Sequence, residues 1–242
     1  MNVWIWGPCL WDTLQSSAFL CDSYNIGPVP LLKPLKVLLP CIFCRNSYNT
    51  FYDQLGDPAL GKSALYVYKI HETVNKKLST QRIEAFIEKQ TLWSLDQKAF
   101  FRNSSLEMFQ DTTIKPFHSP TMEVLKKRFL VNREEAISWR NVSTSLLAIV
   151  MALQEYSEPL KHRSELETFL KALRSILVAA KQYNSTSIVQ VLDALLVQKT
   201  YQDMQTLLEN AKYSPIIPSV YSNVKLITNL VKAGACIENT CT

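Results

Sequence analysis

The positions of the glycines constrain the fold of this 242-residue chain more than any other feature. The chain has only five glycines, and none lies between residues 62 and 233. A β-rich protein of this length needs glycine in its tight turns, so this gap argues against hairpins and sheets. Apolar residues instead recur at spacings of three and four, as at Leu166, Phe169 and Leu173, which is the periodicity of a helix with one buried face. The sequence therefore predicts an all-α protein.

Prolines divide this helical pattern into segments. In the first part we predict helices at about 8–23, 30–39, 41–55, 62–79 and 80–91. In the second part we predict helices at about 94–110, 121–131, 133–156, 158–182, 185–198, 200–212 and 219–233. The stretch 94–120 is polar and contains Pro116 and Pro120, so it is a reasonable boundary. The prediction is an N-terminal domain over residues 1–93 and a C-terminal helical domain with a cysteine-containing tail over residues 94–242.

Charge and hydropathy favour neither nucleic acid nor a membrane as a partner. The chain carries 26 Lys and Arg against 21 Asp and Glu, a net charge of +5, and no basic block stands out. The longest uncharged apolar stretch, around residues 146–153, is much shorter than the ~20 residues that a membrane span needs. No basic segment followed by an apolar run opens the sequence, so no signal peptide is predicted. We expect a cytoplasmic protein.

Six cysteines lie near the two ends of the sequence: Cys9, Cys21, Cys41, Cys44, Cys236 and Cys241. Six are too few for a secreted scaffold that is held together by disulfides. Cys9 and Cys21 fall on one predicted helix, separated by about 18 Å of helical rise, so they cannot pair with each other there. We expect both to be buried free thiols. The uneven distribution suggests two chemically active ends that meet.

Cys41 and Cys44 form a Cys-x-x-Cys motif directly after Pro40. Because Pro40 precedes a helical pattern, Cys41 is predicted near a helix N-terminus, where the helix dipole and free N–H groups stabilise a thiolate. Arg45 adds a positive charge. Two such cysteines can form a disulfide and reopen it by thiol exchange. Half of a zinc site and a pair of structural thiols are the alternatives.

A second cluster lies on the first predicted helix. Gly7, Trp11 and Gln15 are spaced at i, i+4 and i+8 and therefore share one face. Glycine lets a planar group approach the backbone, and tryptophan provides a flat surface for stacking. The alternative is that Trp11 simply packs in the core.

A third cluster lies on the helix predicted at 62–79. One side of this helix carries His71, Val74, Asn75 and Leu78. A histidine and an asparagine on an otherwise apolar stripe need polar partners if they are buried, and a bound polar ring system would supply them. Lys76 and Lys77 are placed to neutralise a diphosphate, or else form a solvated helix end that suits the dipole.

Together these clusters resemble the Erv/ALR family of FAD-dependent sulfhydryl oxidases. Family members carry Trp-Gly…Trp on the first helix, Pro-Cys-x-x-Cys-Arg-x-x-Tyr on the third and His-Asn-x-Val-Asn-x-x-Leu on the fourth. Here the motifs read WGPCLW, PCIFCRNSY and HETVNKKL, within residues 4–93. The resemblance implies a bundle of four long helices with a short fifth helix across it, which binds FAD, usually as a homodimer. The order of domains is similar to that of the two-domain members encoded by large DNA viruses, which implies a host cytoplasm or a virion.

The resemblance also implies roles for individual residues. It makes Cys44 the cysteine next to the flavin ring and Cys41 the interchange cysteine that receives electrons from outside. The positions that it assigns to FAD contacts are Gly7, Trp11, Gln15, Cys44, Tyr48, His71, Val74, Asn75, Lys77 and Leu78. Two of this chain's residues depart from the family pattern, since Gln15 and Glu72 stand where relatives have His and Asn. Tyr66 stands where relatives often have Trp.

The resulting expectation is a thiol oxidase that needs no metal ion. Electrons pass from protein dithiols through Cys41 and Cys44 to FAD and then to O₂, which gives hydrogen peroxide. Many family members relay electrons through a second, mobile cysteine pair, and Cys236 and Cys241 are candidates for it, with a structural disulfide or free thiols as alternatives. The main competing hypothesis is a zinc-stabilised helical adaptor that uses Cys41, Cys44, Cys236 and Cys241 as ligands. A third is a purely structural or interaction protein.

Overall fold

The computed structural model describes residues 3–103, 120–131, 137–155, 160–181 and 185–210, and every regular element in these ranges is a helix. In chain order the helices are α1 (Val3–Tyr24), α2 (Val29–Leu32), α3 (Leu35–Leu38), α4 (Ile42–Leu55), α5 (Ser63–Lys89), α6 (Leu95–Asn103), α7 (Met122–Val131), α8 (Trp139–Glu155), α9 (Arg163–Ala180), α10 (Ser185–Val197) and α11 (Tyr201–Asn210). The prediction of an all-α protein is confirmed. Within the described ranges, no helix is both long enough and apolar enough to cross a membrane. The helix predicted at 219–233 lies outside these ranges.

The first helix begins at Val3 rather than at Pro8, which lies inside it. A proline normally disfavours a helical conformation in the preceding residue, partly through contact with that residue's Cβ, and Gly7 has no Cβ. Trp6 and Leu10 are then buried on one face on either side of the proline. The predicted start was wrong because Pro8 was interpreted as the first helical residue.

Two further boundaries follow from the presence or absence of helix-breaking residues. The helix predicted at 30–39 is divided into α2 and α3, because Pro34 has no N–H with which to continue the bonds of α2. The helices predicted at 62–79 and 80–91 are instead one helix, α5. No proline or glycine separates them, and Ser79 at the junction is buried. A separate short helix at 80–91 was therefore a wrong prediction.

Helices α8 and α9 start later than predicted. Residues 137 and 138 are not helical, and Ser138 precedes α8 as a residue type that favours N-cap positions. Leu160 and His162 have positive φ values of 59° and 63°, which an α-helix does not accommodate. The helix predicted from residue 158 therefore begins only at Arg163.

One apolar core joins the first part of the chain to the second. Helix α1 packs against α5 on one side and against α8 on another, and α9 packs against α1, α2 and α3. Leu14, Leu35, Leu146 and Phe169 are among its fully buried members. A smaller cluster of Ile83 and Ile87 with neighbouring aromatic rings holds the end of α5 against α6. The main core is thus continuous across the predicted domain boundary.

The start of α5 is attached to α1 by Asp22. Its two carboxylate oxygens accept hydrogen bonds from the backbone N–H groups of Ser63, at 2.8 Å, and Ala64, at 3.0 Å. These N–H groups have no partner within the helix, and the helix dipole favours a negative charge at this end. Gln15, also on α1, donates through Nε2 to the Ala64 carbonyl at 3.2 Å. Two side chains of α1 therefore fix where α5 begins.

We expect Asp22→Ala to lower the free energy of unfolding by about 1–2 kcal/mol, because it removes this cap. Urea unfolding followed by far-UV circular dichroism measures the change. Asp53→Ala is the control, since Asp53 is exposed and forms a surface ion pair with Lys36, an interaction worth ~0–1 kcal/mol. Equal losses in the two variants would contradict a capping role for Asp22.

Candidate redox site

Cys41 is the N-cap residue of α4. Its backbone is extended, with φ −98° and ψ 127°, and its Sγ accepts the backbone N–H of Cys44 at 3.4 Å. Arg45 secures the preceding segment, because its Nη1 donates to the Leu39 carbonyl at 2.6 Å and its backbone N–H donates to the Cys41 carbonyl. Leu39 is extended because it precedes Pro40. The Cys-x-x-Cys motif thus lies at a helix N-terminus, as the sequence predicted.

The two thiols are free and differ in acidity. The hydrogen bond between the Cys44 thiol and the Cys41 sulfur, together with the backbone N–H groups of Cys44 and Phe43, lowers the pKa of Cys41 to about 6 despite burial. The same thiol–thiol hydrogen bond, followed by burial, raises the pKa of Cys44. At neutral pH the pair therefore consists of a Cys41 thiolate and a Cys44 thiol. This is the charge state of a pair that is active in thiol exchange.

This difference predicts how alkylation of the reduced protein depends on pH. Since only a thiolate reacts, labelling of Cys41 by iodoacetamide should rise through a midpoint near pH 6 and precede labelling of Cys44. Peptide mapping by mass spectrometry reports each cysteine separately. Cys21 is the internal control, because burial raises its pKa to about 12 and it should stay unlabelled in the folded protein. A Cys41 midpoint near the ordinary thiol value of about 8.5 would contradict the assignment.

Trp11 and His71 are brought together from two helices. Their rings stack with centroids 4.3 Å apart and planes 18° apart. Burial lowers the pKa of His71 to about 4, so its imidazole is neutral at physiological pH. Stacking distances are ~3.5 Å, so a third ring between them needs a separation of about 7 Å. A flat ligand therefore stacks on an outer face of this pair, or the pair opens to admit it.

Three of the residues in the predicted FAD set lie at the rim of the main core. Trp11 from α1, Cys44 from α4 and Val74 from α5 are partly buried and pack against the same apolar cluster. Farther along α5, Asn75 is partly buried and Leu78 is exposed. The three helices therefore present a thiol, an aromatic surface and an aliphatic surface along one core.

The polar groups of Lys77 and Tyr48 form hydrogen bonds within the protein. The exposed Lys77 donates through Nζ to Ser47 Oγ, which ties α5 to α4 beside Tyr48. Ser47 was not singled out from the sequence, and its only signal is its place one turn after Cys44. Tyr48 is buried, and its hydroxyl donates to the Leu32 carbonyl at 3.0 Å. Tyr66 is similarly occupied, since its hydroxyl donates to the Gly56 carbonyl. Both tyrosine hydroxyls thus serve the fold.

Gly7 is buried, but protein atoms do not crowd it. A Cβ added there would meet only Val3, at 3.5 Å, which is an ordinary van der Waals contact. Space within the protein therefore does not explain a glycine at this position. Its role before Pro8 explains it locally, and close approach of a ligand remains a prediction.

Gln15 is the residue of the predicted set whose hydrogen bonding is incomplete. Its Nε2 donates to the Ala64 carbonyl, but its Oε1 is buried and has no partner among the described residues. An unpaired buried acceptor costs about 1–3 kcal/mol, so a ligand that donates a hydrogen bond there would be stabilised. Gln15 lies one helical turn from Trp11. A ligand with a flat ring and an N–H group fits this combination of a stacking surface and an unpaired acceptor.

Two further thiols, Cys9 and Cys21, lie among the described residues. Cys21 is fully buried, as predicted, whereas Cys9 is only partly buried and was wrongly expected to be buried. Cys236 and Cys241 lie outside the described residues. Within the described ranges no group of three or more His, Cys, Asp or Glu side chains is placed to hold a metal ion. The shuttle pair and the zinc adaptor stay predictions.

No family model, curated protein or solved structure matches this chain. The resemblance to the Erv/ALR family therefore depends on the three sequence motifs.

Proposed function

We propose that this protein is a FAD-dependent thiol oxidase that forms disulfides in protein substrates. The observation that carries the proposal is the Cys41–Cys44 pair at the start of α4. Its first member, Cys41, is an acidic thiol, and its second member, Cys44, packs against the same apolar core as Trp11. A buried structural pair has no need of a thiol whose pKa is lowered to about 6.

In the oxidised enzyme a substrate thiolate attacks Cys41 Sγ, breaks the Cys41–Cys44 bond and forms a mixed disulfide. A second substrate thiolate then attacks the substrate sulfur of that bond and releases Cys41 as a thiolate. The low pKa of Cys41 makes it a good leaving group at neutral pH. Each substrate dithiol thus becomes a disulfide, gives two electrons to the cysteine pair and leaves Cys41 and Cys44 reduced.

FAD would carry these two electrons from the pair to O₂, which yields hydrogen peroxide. Trp11, His71 and Val74 would hold its ring system, and the Gln15 Oε1 would accept a hydrogen bond from it. The remaining contacts in the proposal are Gly7, Tyr48, Asn75, Lys77 and Leu78. Because burial keeps His71 neutral, its imidazole would stack without adding a charge to the ring site. We also propose that the protein is a homodimer and acts in a host cytoplasm or a virion.

An oxygen electrode tests this function. Protein purified and supplied with FAD should consume about one O₂, and produce about one hydrogen peroxide, for each pair of dithiothreitol thiols that it oxidises. The measurement is repeated with a reduced protein substrate. Folded, FAD-loaded protein that oxidises neither substrate would contradict the proposal.

A further inference from the structure

The two residues between the cysteines are apolar and exposed. Ile42 and Phe43 form the first turn of α4, and their side chains are 39% and 52% exposed, whereas Cys41 is only 6% exposed. Because the Cys41 sulfur is nearly buried, an incoming thiol must pass close to these two side chains to reach it. We propose that Ile42 and Phe43 form a docking surface for an extended polypeptide that carries an apolar residue next to its reactive cysteine. This inference rests on the thiol oxidase function proposed above.

The backbone beside Cys41 supports an extended partner. Leu39 and Cys41 both have extended ψ angles, 129° and 127°. Arg45 occupies the carbonyls of both residues. The Cys41 N–H and the Pro40 carbonyl, by contrast, have no backbone partner in the part of the chain that the structure describes. These two groups belong to one trans peptide unit and point in opposite directions, so an extended chain that approaches from one side can hydrogen-bond to one of them.

The chemistry of the site defines what covers these side chains. The occupant must bring a thiol to Cys41, so it is a substrate and not an arbitrary apolar surface. A slim, extended chain reaches a nearly buried sulfur, whereas a rigid folded surface is held away by the protruding Phe43. A small hydrophilic thiol such as glutathione reaches the sulfur but leaves the apolar side chains in water. The docking surface therefore favours unfolded or locally unfolded cysteine-containing segments.

An exchange assay that needs neither FAD nor O₂ tests this proposal. In a Cys44→Ser background, Cys41 is converted to its mixed disulfide with thionitrobenzoate, whose release is coloured. Three thiols then displace it: the peptide Ala-Leu-Cys-Ala, the peptide Ala-Ser-Cys-Ala, and glutathione. We expect the leucine peptide to react about tenfold faster than the serine peptide, which is the discrimination that one apolar contact supplies.

Adding Ile42→Ser and Phe43→Ser should lower the ratio of the leucine-peptide rate to the glutathione rate about tenfold. Leu60→Ser is the matched control, because Leu60 is similarly exposed at 54% but lies in the connection between α4 and α5; it should leave the ratio unchanged. An unchanged ratio in the double variant overturns the proposal. An equal fall for both thiols also overturns it, since the side chains would then act on the reactivity of Cys41 itself.

Sedimentation of the double variant distinguishes another occupant. A change in oligomeric state would assign the surface to a second copy of this chain and overturn the proposal. The two proposals can fail separately. If the unaltered protein shows no oxidase activity with FAD, but the exchange assay still shows the preference for the leucine peptide, the oxidase function is contradicted and the docking surface is not.

Discussion

Cys44→Ser is expected to reduce dithiol-driven oxygen consumption by about a thousandfold or more, the scale seen when an essential reacting group is removed. Without this sulfur no Cys41–Cys44 disulfide can form, and the thiol at the core rim is lost. FAD should remain bound, since its proposed contacts come from three helices and Cys44 is only one of them. The oxygen electrode gives the rate, and the visible flavin absorbance gives the cofactor content.

Cys9→Ser is the matched control for this experiment. Cys9 is also a partly buried free thiol, but it lies on α1, and burial raises its pKa. Its variant should keep the full rate. If Cys44→Ser retains activity while it binds FAD, electrons do not pass through the pair, and the proposed route is wrong.

Leu146→Ala should lower the free energy of unfolding by about 2–5 kcal/mol, because it leaves a cavity in a closely packed core. Leu146 lies on α8 and is 1% exposed, yet its core also contains residues of α1. The substitution in the second part of the chain should therefore destabilise the first part as well. Labelling of the buried thiol of Cys21 during urea unfolding reports on α1, and far-UV circular dichroism reports on all helices.

Both signals should shift together to lower urea concentration in Leu146→Ala. Val197→Ala serves as the control, because Val197 lies on α10 with its side chain largely exposed, and surface changes of this kind usually alter stability by less than ~0.5 kcal/mol. Cys21 labelling that is unaffected by Leu146→Ala would mean that the two parts unfold separately and that the shared core does not couple them.

The helical class could be predicted from the sequence because it depends on features that act locally. The missing glycines and the spacing of Leu166, Phe169 and Leu173 indicate helices whatever packs against them. The predicted start of the first helix was wrong because Gly7 lets α1 continue through Pro8. The predicted break after residue 79 was wrong because no residue near Ser79 ends a helix.

Part of the candidate site could likewise be predicted from local sequence, and part depends on how the helices pack. The position of Cys41 at a helix N-terminus follows from Pro40 and the helical pattern after it, and the structure agrees. The stacking of Trp11 on His71 joins residues 60 positions apart, and its geometry depends on how α1 packs on α5. The unpaired Oε1 of Gln15 depends on that packing too. No spacing rule along the chain reveals such contacts.

Titration of the purified protein with FAD tests the flavin site most directly, with circular dichroism to confirm that the helices are formed. The proposal predicts saturable binding of about one FAD per chain, with quenching of tryptophan fluorescence as Trp11 contacts the ring. It also predicts that a Gln15→Leu variant binds FAD more weakly, because it lacks the acceptor. A folded, helical protein that binds no FAD under these conditions would contradict the proposed function.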